Sequence, residues 1–178
     1  FGFARHGIVP DMITMGKPMG NGIPISGLAA KEDVLAAFSD KLPYFNTFGG
    51  NPVSIAAAQA VLKYIKDENL QEHCKKAGAA LLKALKEVQE RHPESVGDVR
   101  GAGLFLGFEF VKNDGNKTPD KDMALNVIEM LRDEHILTSV IGHYGNILKL
   151  RPPMVFSEND IDWFATSLDK CITKLENK

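Results

Sequence analysis

Apolar residues recur every three or four positions between residues 70 and 91, where Leu70, Cys74, Ala77, Leu81, Leu85 and Val88 share one face. That spacing predicts an amphipathic helix, stopped by His92-Pro93. A second stripe, Ile161, Phe164, Leu168, Cys171, Ile172 and Leu175, predicts a last helix. It begins at Ser157 with an Asp three residues on, close to a capping box. The stretch 120–134 is helical in pattern too, and its acidic run Asp120 to Asp122 reads as a charged helix start. Asn51 followed by Pro52 is a helix-start signal, continued by an Ala-rich stretch to about residue 66; residues 31–38 read as a short helix. Short apolar runs predict strands at Met12–Met15, expected to be buried, and at 25–30, 103–111 and 147–150, the last closed by Pro152-Pro153. Residues 136–141 read as extended. Residues 16–24 hold three glycines and two prolines and predict a loop; 43–50 and 113–119 are irregular.

From residue 94 onward the predicted order is strand, helix, strand, strand, helix, a small α+β arrangement. The chain of 178 residues is long enough to bury a core. Hydrophobic residues make up 44% and charged residues 25%, which excludes a disordered or collagen-like chain. A net charge of −2 leaves no electrostatic footprint for nucleic acid or an anionic membrane surface, and no apolar run approaches the ~18 residues needed to span a bilayer. Cys74 and Cys171 lie in helical patterns outside any CxxC context, so neither a disulfide framework nor a zinc site is expected, and a reducing compartment fits. The five histidines show no metal-ligand spacing, and no metal is expected. Trp163, early in the last helix, is expected to pack.

The chemistry concentrates at Thr14-Met15-Gly16-Lys17-Pro18-Met19-Gly20-Asn21-Gly22. A lysine at the end of a buried strand is poorly solvated, which favours the neutral, nucleophilic amine that a Schiff-base lysine needs. A Walker A loop is excluded because Pro follows the lysine and the glycines come after it. A dinucleotide fingerprint fails because Gly20, Gly22 and Gly27 do not form GxGxxG. A plain surface lysine in a turn stays open on this segment alone. Tyr44-Phe45-Asn46-Thr47-Phe48-Gly49-Gly50-Asn51-Pro52 joins a hydroxyl and two glycines to a helix N-terminus. Such an end suits a phosphate, or is simply a capped helix.

These two segments, with Gly97-Asp98-Val99-Arg100-Gly101-Ala102-Gly103-Leu104-Phe105, occur in the order and spacing of the class III aminotransferases. The chain resembles that pyridoxal 5'-phosphate (PLP) family, of fold type I, over nearly its whole length. The resemblance implies an α/β fold: the end of a large mixed-sheet, cofactor-binding domain over 1–69, a connecting helix over 70–92 and a small α+β C-terminal domain over 93–178. It implies that Lys17 bonds the cofactor and that Thr47, with Phe48, reaches the cofactor phosphate of a neighbouring subunit, so that a homodimer shares its active sites. The family's aspartate for the pyridine nitrogen, its Gly-rich phosphate loop and its stacking aromatic lie upstream of such a lysine. None of them is found here, which implies roughly the C-terminal half of a longer enzyme.

One departure bears on the reaction. In Asn146-Ile147-Leu148-Lys149-Leu150-Arg151-Pro152-Pro153-Met154, Lys149 stands where typical class III transaminases carry an arginine that forks onto the substrate carboxylate. A lysine is a point charge suited to phosphate, and Arg151 adds a second cation. The chain therefore looks closer to the phospho-lyase branch, which acts on small phosphorylated amines such as O-phosphoethanolamine or 5-phosphohydroxylysine. Lys149 on a solvated edge strand is the bland alternative. A transaminase of the alanine–glyoxylate type and a non-catalytic dimerisation module are the other functional readings. A mitochondrial or cytoplasmic location is expected.

Overall fold

In a computed structural model, which describes residues 2–177, the chain divides into two compact units, Phe1–Glu68 and Asn69–Lys178. In the first unit, strands β1 (Met12–Met15) and β2 (Gly27–Ala30) form an antiparallel pair, with Met12 opposite Ala30 and Met15 opposite Gly27. A 3-10 turn, Lys17–Gly20, lies between them. Helices α1 (Glu32–Ser39) and α2 (Pro52–Asp67) follow. Among the described residues of this unit only Gly20 and Ser54 are buried. Strand β1 alternates exposed and half-buried positions, so the expected buried strand is not found. A two-stranded ribbon has no second layer within the unit to cover it.

The second unit is a two-layer α/β sandwich. Helix α3 (Leu70–Arg91) is followed by β3 (Val96–Ala102), β4 (Phe105–Phe110), α4 (Lys121–Asp133), β5 (Ser139–Ile141), β6 (Ile147–Leu150) and α5 (Glu158–Glu176). The strands form one antiparallel sheet in the order β3-β4-β6-β5. Leu106, Phe108 and Phe110 of β4 and Leu148 and Leu150 of β6 alternate into the core beside Leu81, Leu85 and Val88 of α3, Val127 and Leu131 of α4, and Leu168 and Ile172 of α5. The other sheet face mixes charged and polar side chains, Asp98, Arg100, Glu109, Ser139 and Lys149, with Phe105, Ile141 and Ile147. Alternation on a half-covered antiparallel sheet produces this division.

The helix caps follow the predicted signals. Asp120 Oδ1 accepts from the Met123 amide at 2.9 Å, and Ser157 and Asp160 form a full capping box. Four expectations change. Val96–Ala102, anticipated only as part of a motif, is a strand, and the strand predicted from Gly103 begins at Phe105 because Gly103 and Leu104 make the turn between β3 and β4. The predicted strand at 25–30 is shorter, Gly27–Ala30. Trp163 is 48% exposed rather than packed.

The glycines of the β3–β4 hairpin serve close packing. A Cβ on Gly101, whose φ is +148°, would sit 2.3 Å from the Phe105 carbonyl oxygen. A Cβ on Gly78, in the middle of α3, would lie 2.2 Å from the Gly103 carbonyl group. The helix therefore seats directly on the hairpin turn. At the far end of α3, buried His92 is satisfied by two carboxylates: Nδ1 lies 2.7 Å from Glu176 and Nε2 3.1 Å from Asp169. Arg91 donates to Asp169 at 2.6 Å and Ser95 to Glu176 at 2.6 Å.

An exposed helical Gly→Ala change stabilises by about 1 kcal/mol. At Gly78 the contact with Gly103 reverses the sign: Gly78→Ala is expected to destabilise the protein by about 1–3 kcal/mol in urea denaturation. Partial burial alone would raise the Asp169 carboxyl, but hydrogen bonds from Arg91 and His92 outweigh it and hold it below the usual carboxylate range. Its contribution is present above the unfolded value, about 3.9, and is lost as pH falls through the lower folded value. Asp169→Asn is expected to flatten the acid limb of a melting-temperature profile below about pH 4.

Candidate active site

Lys17 opens the 3-10 turn directly after β1 and takes a left-handed backbone, φ +49°. For a non-glycine residue this is an uncommon conformation that costs on the order of 1 kcal/mol, and such residues cluster at functional sites. Asn21, also left-handed, caps the turn by donating its amide to the Pro18 carbonyl at 2.9 Å. Lys17 lines a cleft of about 540 Å³ with Ser26, Asn46, Phe48, Asn51 and Ser54. No carboxylate lines it among the described residues. The lysine is exposed, so the desolvation expected of a buried strand end is not supplied by this unit.

The second segment folds as a local network. Asn46 Oδ1 accepts from the amides of Phe48 at 3.1 Å and Gly49 at 2.9 Å. Gly50 then turns the chain with φ +71°, and Asn51 Oδ1 caps α2 by accepting from the Ser54 amide at 3.0 Å. The motif thus forms a capped helix entry. It brings Phe48 to the cleft of Lys17, whereas Thr47 is exposed and outside its lining. Sequence reasoning assigned no site role to Ser26, Asn46 or Ser54. Asn46 carried a signal, an Asx residue two positions before Phe48 in a Gly-rich turn.

In the second unit, Lys149 and Arg151 line one cleft of about 450 Å³, together with Thr138, Ser139, Phe156 and Phe164. Lys149 is half-buried on β6 and Arg151, just past its end, is exposed. Thr138 Oγ1 donates to the Lys149 carbonyl oxygen at 3.2 Å, tying the chain before β5 to β6. This cleft also lacks a carboxylate among its described lining residues. The rest of the lining is mostly apolar; two cations and the Ser139 hydroxyl, without a compensating anion, suit an anionic ligand.

The model of the Aminotransferase class-III family matches residues 1–172. The chain belongs to that family. It is similar to Ethanolamine-phosphate phospho-lyase homolog 1 of Caenorhabditis elegans, with 45% identity over 168 residues covering 94% of the chain and 36% of that relative. It is also similar to Alanine–glyoxylate aminotransferase 2 homolog 2, mitochondrial, of Arabidopsis thaliana, 37% identical over 175 residues, 98% of the chain and 36% of the relative. Among solved structures, a phospholyase from Arthrobacter in complex with phosphoethanolamine superposes with a TM-score of 0.93 at 37% identity, covering 97% of this chain and 41% of that one. The chain therefore spans little more than a third of these curated relatives' length, and its α/β fold is that of the PLP-dependent class III enzymes. The donor set beside Lys17 fits part of such a cofactor: an accessible amine for the aldehyde, with hydroxyl and amide groups around it, and no acid for the ring nitrogen.

Asn51→Ala removes the cap of α2 at a cost of about 1 kcal/mol. Hydrogen exchange of the amides in the first turn of α2 is expected to quicken by about fivefold, with amides of the second unit unchanged.

Proposed function

We propose that this class III aminotransferase chain works as the C-terminal portion of a homodimeric, PLP-dependent phospho-lyase that removes phosphate and ammonia from a small phosphorylated amine such as O-phosphoethanolamine. The observation that carries this reading is the carboxylate-free cleft holding Lys149 and Arg151 together. Lys149 is a compact point charge that cannot fork onto a planar carboxylate but serves a phosphate, and the guanidinium of Arg151 adds a second cation that also matches phosphate oxygens. The similarity to a phospho-lyase homolog and to a phospholyase bound to phosphoethanolamine supports it.

In this reading the amine of Lys17 bonds the cofactor and later carries a proton to and from the substrate carbon bearing nitrogen. The bound cofactor supplies an electron sink for that carbon. Lys149 and Arg151 hold the substrate phosphate, and Thr47 and Phe48 hold the cofactor phosphate of the partner subunit. Tyr44, Phe45 and Phe48 are 72%, 86% and 82% exposed, and apolar surface of that extent needs a cover, which the remainder of the longer protein and a partner subunit would supply in this reading. In the longer protein, residues 1–69 would end the cofactor-binding domain, 70–92 would connect and 93–178 would form the small domain. The location would be mitochondrial or cytoplasmic. The relatives named as alanine–glyoxylate aminotransferases favour a second reading, amino transfer to a 2-oxo acid.

The complete protein, incubated with O-phosphoethanolamine, is expected to release phosphate and ammonia without needing pyruvate or glyoxylate. Amino transfer to either acid without phosphate release would establish the second reading instead. Lys17→Ala is expected to lower turnover at least about 1,000-fold and to abolish the borohydride-stable adduct with the cofactor.

A further inference from the structure

The outer face of the second unit's sheet carries two rows of side chains. Strand register sets Arg100 opposite Gly107, Gly107 opposite Lys149, and Lys149 opposite Ser139. The neighbouring row runs Asp98, Glu109, Ile147, Ile141. Glu109 is therefore diagonal to two cations, Arg100 on β3 and Lys149 on β6. Diagonal positions on adjacent antiparallel strands are about 7–8 Å apart, within reach of long side chains.

Glu109 pairs with only one of them. Arg100 Nη1 donates to Glu109 Oε2 at 2.6 Å and to Asp98 Oδ2 at 2.6 Å. The other Glu109 oxygen faces buried Asn146, whose Nδ2 donates to the Phe110 carbonyl at 2.8 Å and makes a longer contact, 3.5 Å, with Glu109 Oε1. The Lys149 ammonium has no ion pair or hydrogen bond among the described residues, since only its carbonyl is engaged. The guanidinium wins because it is more weakly hydrated than an ammonium and loses less on pairing. Gly107 leaves no side chain between the two cations, and a Cβ there would crowd Ile147 at 3.2 Å.

We propose that Arg100 is a positioning residue for substrate specificity: by holding Glu109 and Asp98 it keeps Lys149 free of carboxylates, so that the ammonium stays available to the phosphate of the substrate. This rests on the reading of Lys149 as a phosphate-binding residue. With Arg100 removed, Glu109 has one long cation left within diagonal reach. A Glu109–Lys149 pair would then neutralise the charge that the cleft offers to an anion. Arg100 is half exposed and touches no reacting atom in this scheme, so its effect falls on binding rather than on turnover.

Two readouts on the complete protein test this: the KM for O-phosphoethanolamine alongside kcat, and calorimetric binding of inorganic phosphate, which needs no chemistry at the cofactor. Arg100→Gln is expected to raise KM and weaken phosphate binding about tenfold, with kcat within about twofold. Arg100→Lys is expected to restore both by more than half on a logarithmic scale. The double variant Arg100→Gln/Glu109→Gln is expected to return both to near the starting values, because no carboxylate is released. An Arg100→Gln protein that binds phosphate normally, while Lys149→Met binds it at least about tenfold more weakly, overturns the positioning role and leaves the Lys149 reading standing. Continued weak binding in the double variant also overturns it, because the loss would not pass through Glu109. Normal binding in Lys149→Met overturns the Lys149 reading and this inference with it.

Discussion

The seating of α3 on the hairpin of β3 and β4 is the constraint from which the second unit follows. Gly78 lets the helix backbone reach the Gly103 carbonyl, and at that separation Leu81, Leu85 and Val88 enter the same core as Phe108 and Phe110. Close approach here is enforced by backbone and not by a deformable side chain, so little room for adjustment exists. Helix α5 then closes the layer, tied to the end of α3 by His92 between Asp169 and Glu176. Because one face of the sheet is committed to this core, strand alternation leaves the alternate residues, among them the charged Asp98, Arg100, Glu109 and Lys149, on the other face. Lys149 is placed on that second face by the same register that buries Leu148 and Leu150.

The first unit follows a different logic. Its described residues bury no apolar side chain, and its aromatic residues at 44, 45 and 48 stand open. What order it has comes from local devices: a left-handed lysine and asparagine in one turn, and two asparagines that satisfy the amides around Gly49 and the start of α2. Such devices hold a loop shape without a core beneath it. They suit a segment that presents groups to other protein or to a cofactor, which is the role proposed for it above.

Charge arrangement separates the two clefts from the rest of the surface. Neither contains a carboxylate among its described lining residues, although acidic residues are abundant along the chain. In the second unit two acids on the sheet face of Lys149, Asp98 and Glu109, are engaged by Arg100, a residue of the Gly-Asp-Val-Arg-Gly motif. That motif therefore joins two tasks on one strand, tight hairpin packing through its glycines and control of neighbouring charge through Asp98 and Arg100.

By itself the sequence determined the helices and their caps, because apolar periodicity, Asn51-Pro52, Asp120 and the Ser157–Asp160 box are local signals acting within one or two turns. It also carried the family resemblance in three spaced motifs, and it singled out Lys17 by its place after a strand and Lys149 and Arg151 through that resemblance. Only the tertiary structure decided that Val96–Ala102 is a strand, because its glycines and charges hide a pattern that pairing with β4 makes sense of. It also decided that β1 and Lys17 are open within the first unit, since burial depends on a second layer that no local run of residues encodes. The same holds for Glu109: nothing in its neighbourhood along the chain distinguishes Arg100 from Lys149 as a partner, and the choice exists only once three strands lie side by side.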